Sequence, residues 1–402
     1  MTVNKSTQGH VGNRRTSGFA GRPGIRAICF GAALAATVTS TLIAAGPAMA
    51  STGEVVVASS TYTGIDVAIQ ADGSSSWTVQ QVTSGIYGSP AVALTSNGGI
   101  VLTAVDLSGA DRGTLYYFWE GPGSSTWHPQ QVSAIGAAAL YVTPSIASQT
   151  PDAAGLPINN VIVDQNQNGT GSTYYWQAYG TAPWYSEALP TVGGVATQPF
   201  VTEDANDTSV VTFGKANGFG FDRLTLGNTT NWESAQGITV GYAMNGMEAV
   251  DEPSGRIVAS GTENNGTMWS FYNTTGSTGG WYGQNLGVSA VDGASMAVDT
   301  AAGNVTLAAY STASPSDECI NVYTQKNGTT PWSEQSWVQC PGSIDAATLS
   351  MAAQPSGNLV MAFIAGNDQV QFLWAPSGTG QWNDEPITGI VNPDDSAAIA
   401  AD

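Results

Sequence analysis

The segment TLYYFWEGPGSSTWHPQQV, residues 114–132, carries the reading that decides the fold. Its opening six residues are aromatic or β-branched apart from one leucine, the composition of a strand. A Gly-led polar stretch follows, GPGSST, in which glycine permits positive φ and the hydroxyls supply turn hydrogen bonds. Trp127 then opens a short polar and apolar alternation. Two strands joined by such a turn form a β-hairpin.

The same text recurs along the chain. Trp77, Trp127, Trp184, Trp232, Trp281, Trp332 and Trp382 are separated by 50, 57, 48, 49, 51 and 50 residues. The approaches to them read GSSSW, GSSTW, GTAPW, GNTTNW, GSTGGW, GTTPW and GTGQW. Between hairpins lie two further short apolar runs joined by a Gly turn, as in SMAVDTAAGNVTLAAYS from Ser295 and SMAAQPSGNLVMAF from Ser350. Each repeat therefore holds four short strands, A to D. Four antiparallel strands in a unit of about 50 residues, repeated seven times, predict an all-β, seven-bladed β-propeller.

The ends of the repeat array sharpen this. Joining AIAAD at 398–402 to STGEVVVA at 51–58 recreates the A-turn-B text of the other units. The closing blade is thus expected to take its inner strand from about Ser396 to Asp402 and its other three from about Glu54 to Val82. Such pairing removes two strand edges that would otherwise be open to aggregation. The long spacing of 57 is accounted for by PDAAGLPINN at 151–160, a Pro- and Gly-bearing excursion between strands A and B.

Residues 1–50 read as an export signal: a basic stretch with Lys5, Arg14, Arg15, Arg22 and Arg26, an apolar run from Ala27 to Gly46, and the ending Ala48-Met49-Ala50 that suits cleavage before Ser51. Arg14-Arg15 leaves both the general and the twin-arginine export routes open. The domain expected from 51 to 402 then lies in a secreted, extracellular setting, with no later apolar stretch long enough to insert in a membrane. Removing the signal leaves a net charge of about −25, which argues against nucleic acid and anionic membrane as partners because both need a basic footprint. Cys29 falls in the signal, so Cys319 and Cys340 form an even pair for which a disulfide is expected.

Two sets of aromatic residues need separate readings. The marker tryptophans occur in every unit, which suits packing between blades. The end of strand C carries Trp119, Trp176, Tyr272 and Trp374 in four units, against Ile69, Leu224 and Thr324 in the others. Rings used so irregularly are either core filling or platforms that stack on the apolar faces of sugars, with neighbouring carboxylates or amides taking the hydroxyls.

Catalytic readings find less support. His128 is the only histidine after residue 50 and adjoins Trp127, with no nucleophile motif near it, which excludes a His-based triad or zinc site. Glu203, Asp204, Glu248, Asp251, Asp299 and Asp402 fall on or just after inner strands, so a pair could line the channel and hydrolyse a glycoside; A–B turns use Asp for turn chemistry as well. Asp164-Gln165-Asn166-Gln167-Asn168-Gly169 matches the start of a calcium loop through Asp164, Asn166 and Asn168, but position twelve is Tyr175, which rules out an EF-hand. A plain Asn/Gly turn explains the same residues. No cofactor is required, and calcium is the only one hinted at.

The Gly-Ser/Thr-x-x-Trp turn with an aromatic strand before it resembles the repeats of the bacterial seven-bladed propeller lectins and the fucose-specific lectin superfamily, over the whole of 51–402. The resemblance implies monosaccharide sites between neighbouring blades. Arginine is frequent in those sites, whereas only Arg112, Arg223 and Arg256 follow residue 50. QADGSSSW at 70–77 partly echoes a sialidase turn, but three scattered arginines do not supply a cluster for the substrate carboxylate. The expectation is a non-catalytic protein that binds a neutral glycan or polysaccharide, against two alternatives: a polysaccharide-active enzyme using channel carboxylates, and a protein-interaction platform.

Overall fold

The computed structural model describes residues 53–401 except 72–73, 141, 149–158, 166–170, 179–182, 190–196, 204–208, 225–231, 233–235, 253, 274–279, 289–290, 312–318, 327–331, 340–348 and 392. The described strands form seven four-stranded antiparallel sheets, each with its strands in the order A to D. Blade 1 is built of Pro393–Ala401, Val55–Thr61, Gly64–Gln70 and Trp77–Ser84. Blade 2 follows with Ala91–Leu94, Ile100–Val105, Leu115–Glu120 and His128–Gln131. Blade 3 uses Ser145–Ser148, Asn159–Gln165, Ser172–Ala178 and Tyr185–Ala188, and blade 4 Thr197–Glu203, Ser209–Lys215, Gly218–Arg223 and Gln236–Thr239. Met244–Asp251, Ile257–Glu263, Met268–Asn273 and Trp281–Asn285 make blade 5. Blade 6 comprises Val291–Asp299, Asn304–Ser311, Cys319–Lys326 and Ser333–Gln339; blade 7 comprises Ser350–Ala353, Leu359–Ala365, Gln369–Ala375 and Asn383–Pro386.

Burial explains why strand B does not alternate in the sequence. VVVASST and LVMAFIA are buried along their whole length because a blade packs on both neighbours, so both faces of the middle strands meet a core. The outermost strands, such as WTVQQVTS, alternate between exposed and half-buried residues, since one row faces water.

Six of the marker tryptophans open or immediately precede strand D, Trp232 stands four residues before it, and their indoles pack on the preceding blade. Trp77 meets Phe372 of blade 7 edge-on at 5.0 Å, Trp184 meets Tyr117 at 5.0 Å, Trp232 meets Tyr174 at 4.9 Å, and Trp281 meets Phe219 at 5.2 Å. Trp332 and Trp382 join the cores shared by blades 5 and 6 and by blades 6 and 7. The Trp127 indole N–H donates to Gln80 of blade 1 at 3.1 Å. These residues are interblade packing, as their regularity implied.

Closure follows the expected route. The C-terminal strand pairs antiparallel with Val55–Thr61 in the register Val55↔Ala401, Val56↔Ala400 and Val57↔Ile399. Ser59 Oγ donates to the Ser396 carbonyl at 2.9 Å, and Gln354 of blade 7 donates to the Gly53 carbonyl at 3.2 Å.

The inner strands are latched to one another around the channel. Backbone N–H groups of Val201, Met296, Met351 and Ile399 donate to Ser145, Glu248, Ser295 and Ser350 of the preceding blade, at 3.0, 2.9, 3.0 and 3.2 Å. All four acceptors hold the same place on strand A. Inner strands of neighbouring blades, which share no sheet with each other, thus gain directional bonds across the blade interfaces.

Candidate functional site

Strand pairing aligns the ends of the C strands. Val56↔Ile69, Val101↔Trp119, Val161↔Trp176, Val210↔Arg223, Val258↔Tyr272, Thr306↔Thr324 and Val360↔Trp374 are equivalent pairs. The expectation of Leu224 at this place in blade 4 is therefore corrected to Arg223. In blades 4 and 5 the marker tryptophan stands nine positions after this one, where in blades 1 to 3 it stands eight positions after, so counting back eight from Trp232 lands one residue late. Leu224 instead packs toward blade 3 with Val163, Tyr174 and Phe213.

The four aromatic residues all face the next blade, yet their surroundings differ. Trp119 is half-buried and lines a cavity of about 270 Å³ with Val101, Tyr117, Pro122, Asn97 and Asn160. Asn160, on strand B of blade 3, donates to the Tyr117 hydroxyl at 2.9 Å, and its Oδ1 has no partner. The outer side of Trp119 stacks on the exposed His128 ring at 4.2 Å. An aromatic wall and a buried amide bordering one cavity place an apolar surface beside a polar group, the combination small-molecule sites use.

Trp176 and Trp374 are each only 9% exposed. Trp176 lies between Tyr174 and Tyr185, both at 5.7 Å, and Trp374 is enclosed by Val55, Val57, Ile387 and Ile399. Tyr272 stacks on Tyr282 at 5.5 Å and carries the Arg256 guanidinium 4.8 Å from its ring centre. Arg256 is held by Glu252, Nε to Oε2 at 2.9 Å and Nη2 to Oε1 at 2.6 Å, and donates to Gln325 of blade 6 at 3.0 Å. The four positions therefore stand at four separate grooves, and Trp119 opens on the described cavity.

A second cavity, of about 200 Å³, lies in the groove between blades 1 and 2, lined by Glu54, Ile69, Thr78, Gln80, Ile100 and Glu120 among others. Sequence reading passed over Glu54 and Glu120. The signal that could have found Glu120 is its place: the residue after the aromatic position is Gln70, Gln177, Asn273 and Gln325 in other blades, buried amides, and in blade 2 it is an acid.

The central channel widens to about 350 Å³ where strands A of all seven blades line it. Among the described side chains Glu248 is the one carboxylate on its wall; those of Asp394 and Asp395, on the inner strand of blade 1, lie outside the description. Burial pushes that carboxyl up to about 8, with the Met296 N–H and the Ser295 hydroxyl pulling against the shift. Asp299 is a turn residue that ties two blades, accepting from Ala302 N–H at 2.9 Å and from Ser377 Oγ of blade 7 at 2.8 Å. Asp251 ends strand A of blade 5 and does not border the channel cavity. Glu203 ends strand A of blade 4, its side chain outside the description, and Asp204 and Asp402 lie outside the described residues.

Two further carboxyls are buried away from these cavities. Asp164, in strand B of blade 3, is raised well above the ordinary range by burial, the Gln165 N–H opposing. Its companions in the calcium-loop reading, Asn166 and Asn168, lie outside the described residues, and among the described residues no three His, Cys, Asp or Glu side chains form a metal-holding group. Asp222 faces blade 3 at a place filled by Phe118, Tyr175, Phe271, Tyr323 and Leu373 in other blades, and burial raises it to about 7 against the pull of Lys215. Cys319 opens strand C of blade 6, while Cys340 lies outside the described residues.

No family model matches the chain, and no curated protein matches it. Solved structures do. The BP39L lectin from Burkholderia pseudomallei superposes with a TM-score of 0.67 at 13% identity, covering 85% of this chain and 97% of that one. A putative 6-phosphogluconolactonase from Bacteroides fragilis gives 0.56 at 13% identity, covering 88% and 99%. The Aleuria aurantia lectin, described as a six-bladed propeller with a novel fucose recognition mode, gives 0.47 at 13% identity, covering 74% and 94%. At such identities the likeness establishes the propeller fold.

Proposed function

We propose that this protein is a secreted, non-catalytic propeller that binds neutral carbohydrate in the groove between blades 2 and 3. One observation carries the reading: the cavity at Trp119, where a half-buried indole, Tyr117 and Pro122 face the unpartnered Asn160 Oδ1. Stacking supplies affinity for the C–H face of a pyranose and the amide oxygen orients a hydroxyl. The likeness to the BP39L lectin supports a saccharide ligand at the level of fold. Trp176, Tyr272 and Trp374 are assigned secondary or structural parts, because blade packing or a ring and a guanidinium already occupy their surfaces.

A glycan array followed by calorimetry tests this. Saturable binding of a neutral mono- or oligosaccharide, weakened at least about tenfold in Trp119→Ala, is expected for a lost stacking contact of about 1.4 kcal/mol or more. Absence of any glycan hit, or unchanged affinity in the variant, overturns the reading. The enzyme alternative requires two carboxylates about 5 to 10 Å apart, and Glu248 stands alone on the channel wall among the described side chains.

Secretion rests on the signal-like residues 1–50, and a mature N-terminus at Ser51 in culture medium checks it. The proposed Cys319–Cys340 bridge is supported by register, since Ile320 pairs with Gln339. Thiol alkylation of the denatured mature protein should occur only after reduction.

A further inference from the structure

The groove between blades 1 and 2 and the groove between blades 5 and 6 are built to one plan with opposite charge. In the latter, Arg256 precedes strand B of blade 5 by one residue and reaches across to Gln325, the last buried amide of blade 6, at 3.0 Å. Pairing makes Val56 equivalent to Val258, so Glu54 holds the place of Arg256; likewise Glu120 of blade 2 holds the place of Gln325. Where one groove brings a guanidinium to an amide, the other brings a carboxylate to a carboxylate.

Glu120 is 3% exposed, lines the 200 Å³ cavity, and neither of its oxygens meets a donor at full hydrogen-bond geometry. Burial raises its carboxyl above the ordinary range; the neighbouring Gln80 side chain partly offsets this and the Glu54 charge adds to it. Gln80 has its own task, accepting the Trp127 indole N–H at 3.1 Å. Two carboxylates sharing a cavity, one of them desolvated and short of the donors that a buried charge requires, favour a cation between them. The cavity exceeds what a bare ion needs, a water occupying about 30 Å³ of liquid. Among the described residues the lining has no third carboxylate of the kind that builds a calcium cage.

We propose that the blade 1/2 groove binds an organic cation, an alkylammonium or guanidinium group, in the place that the Arg256 guanidinium fills in the 5/6 groove. Such a group donates to Glu120 and Glu54 in charge-assisted hydrogen bonds, while Ile69, Thr78 and Ile100 bound the rest of the ligand. An amino sugar and a basic side chain both carry this chemistry. The inference adds a second ligand class at the blade 1/2 groove; Glu120 also borders the Trp119 cavity, but Glu54, Ile69 and Thr78 do not, so dependence on Glu54 tells the two readings apart.

Calorimetry on the mature protein at low salt is the test, with glucosamine and methylguanidine as probes and glucose and calcium chloride as controls. Saturable binding of either cation is expected, weakened on the order of tenfold in Glu54→Gln; binding of glucosamine alone assigns an amino sugar, and of methylguanidine alone a basic side chain. Glu120→Gln should act in the same direction. The proposal falls if neither cation binds, if glucosamine binding depends on Glu54 no more than glucose binding does, if calcium binds with the same dependence on Glu54 while the organic cations do not, or if both glutamate variants, folded by circular dichroism, bind as the parent does.

Discussion

Trp119 and Trp374 sit at the same place in their blades, face the same way and pair with an equivalent valine, yet one borders a cavity and the other is sealed. The difference lies in the blade that follows. Trp374 looks onto Val55 and Val57, with Ala397 and Ile399 of the closing strand packed alongside. At the place of Val55, blade 3 puts Asn160, whose amide turns to the Tyr117 hydroxyl and keeps an oxygen free for the cavity. A ring against aliphatic side chains becomes core, and a ring beside an unpaired polar atom becomes the wall of a site.

The comparison can be broken most severely at its sealed end. Deleting Ser396 to Asp402 strips blade 1 of its inner strand and uncovers the Trp374 groove, and should cost more than about 5 kcal/mol, enough to consume the stability of a typical domain. An unaltered melting temperature would contradict ring closure. Trp374→Ala should cost about 3 to 5 kcal/mol, as for other buried aromatic truncations; Trp119→Ala should cost about half as much in chemical denaturation and show its main effect on glycan binding.

A third test uses Asp222, which puts a carboxyl where five other blades hold an aromatic or leucine and blade 1 holds Ala68. Its folded value of about 7 lies above the ordinary 3.8, so the folded state holds the proton more tightly than the unfolded chain. Stability should therefore be highest below about pH 4 and fall as pH rises toward 7, by up to about 4 kcal/mol. Asp222→Asn should flatten this slope in urea titrations across that range. The smallest effect is expected from Asn160→Val, which makes the Trp119 groove resemble the Trp374 groove: stability should change by no more than about 1 kcal/mol, while glycan affinity drops. Retained affinity would show that the polar atom is not what opens the site.

Much of the fold was legible because a propeller writes its unit seven times. The Gly turn and Trp recur wherever a hairpin must close and an indole must fill the gap to the preceding blade, and AIAAD matched the A strands because Ile399 and Ala397 meet the same core those strands meet. Leu224 was misplaced because a turn one residue longer preserves the text while moving the register, and only pairing with Val210 reveals Arg223. The list of aromatic candidates named the end of strand C and was silent about which faces remained uncovered.

Repeat spacing and strand composition by themselves determined that this chain forms a seven-bladed ring and that its marker tryptophans belong to the scaffold, because both are local features copied once per blade. Tertiary structure decided which groove stays open, which carboxylates face one another and which ring is sealed. Those properties arise between a residue and its neighbour in the next blade, roughly 50 positions away, and no pattern within one repeat records that contact.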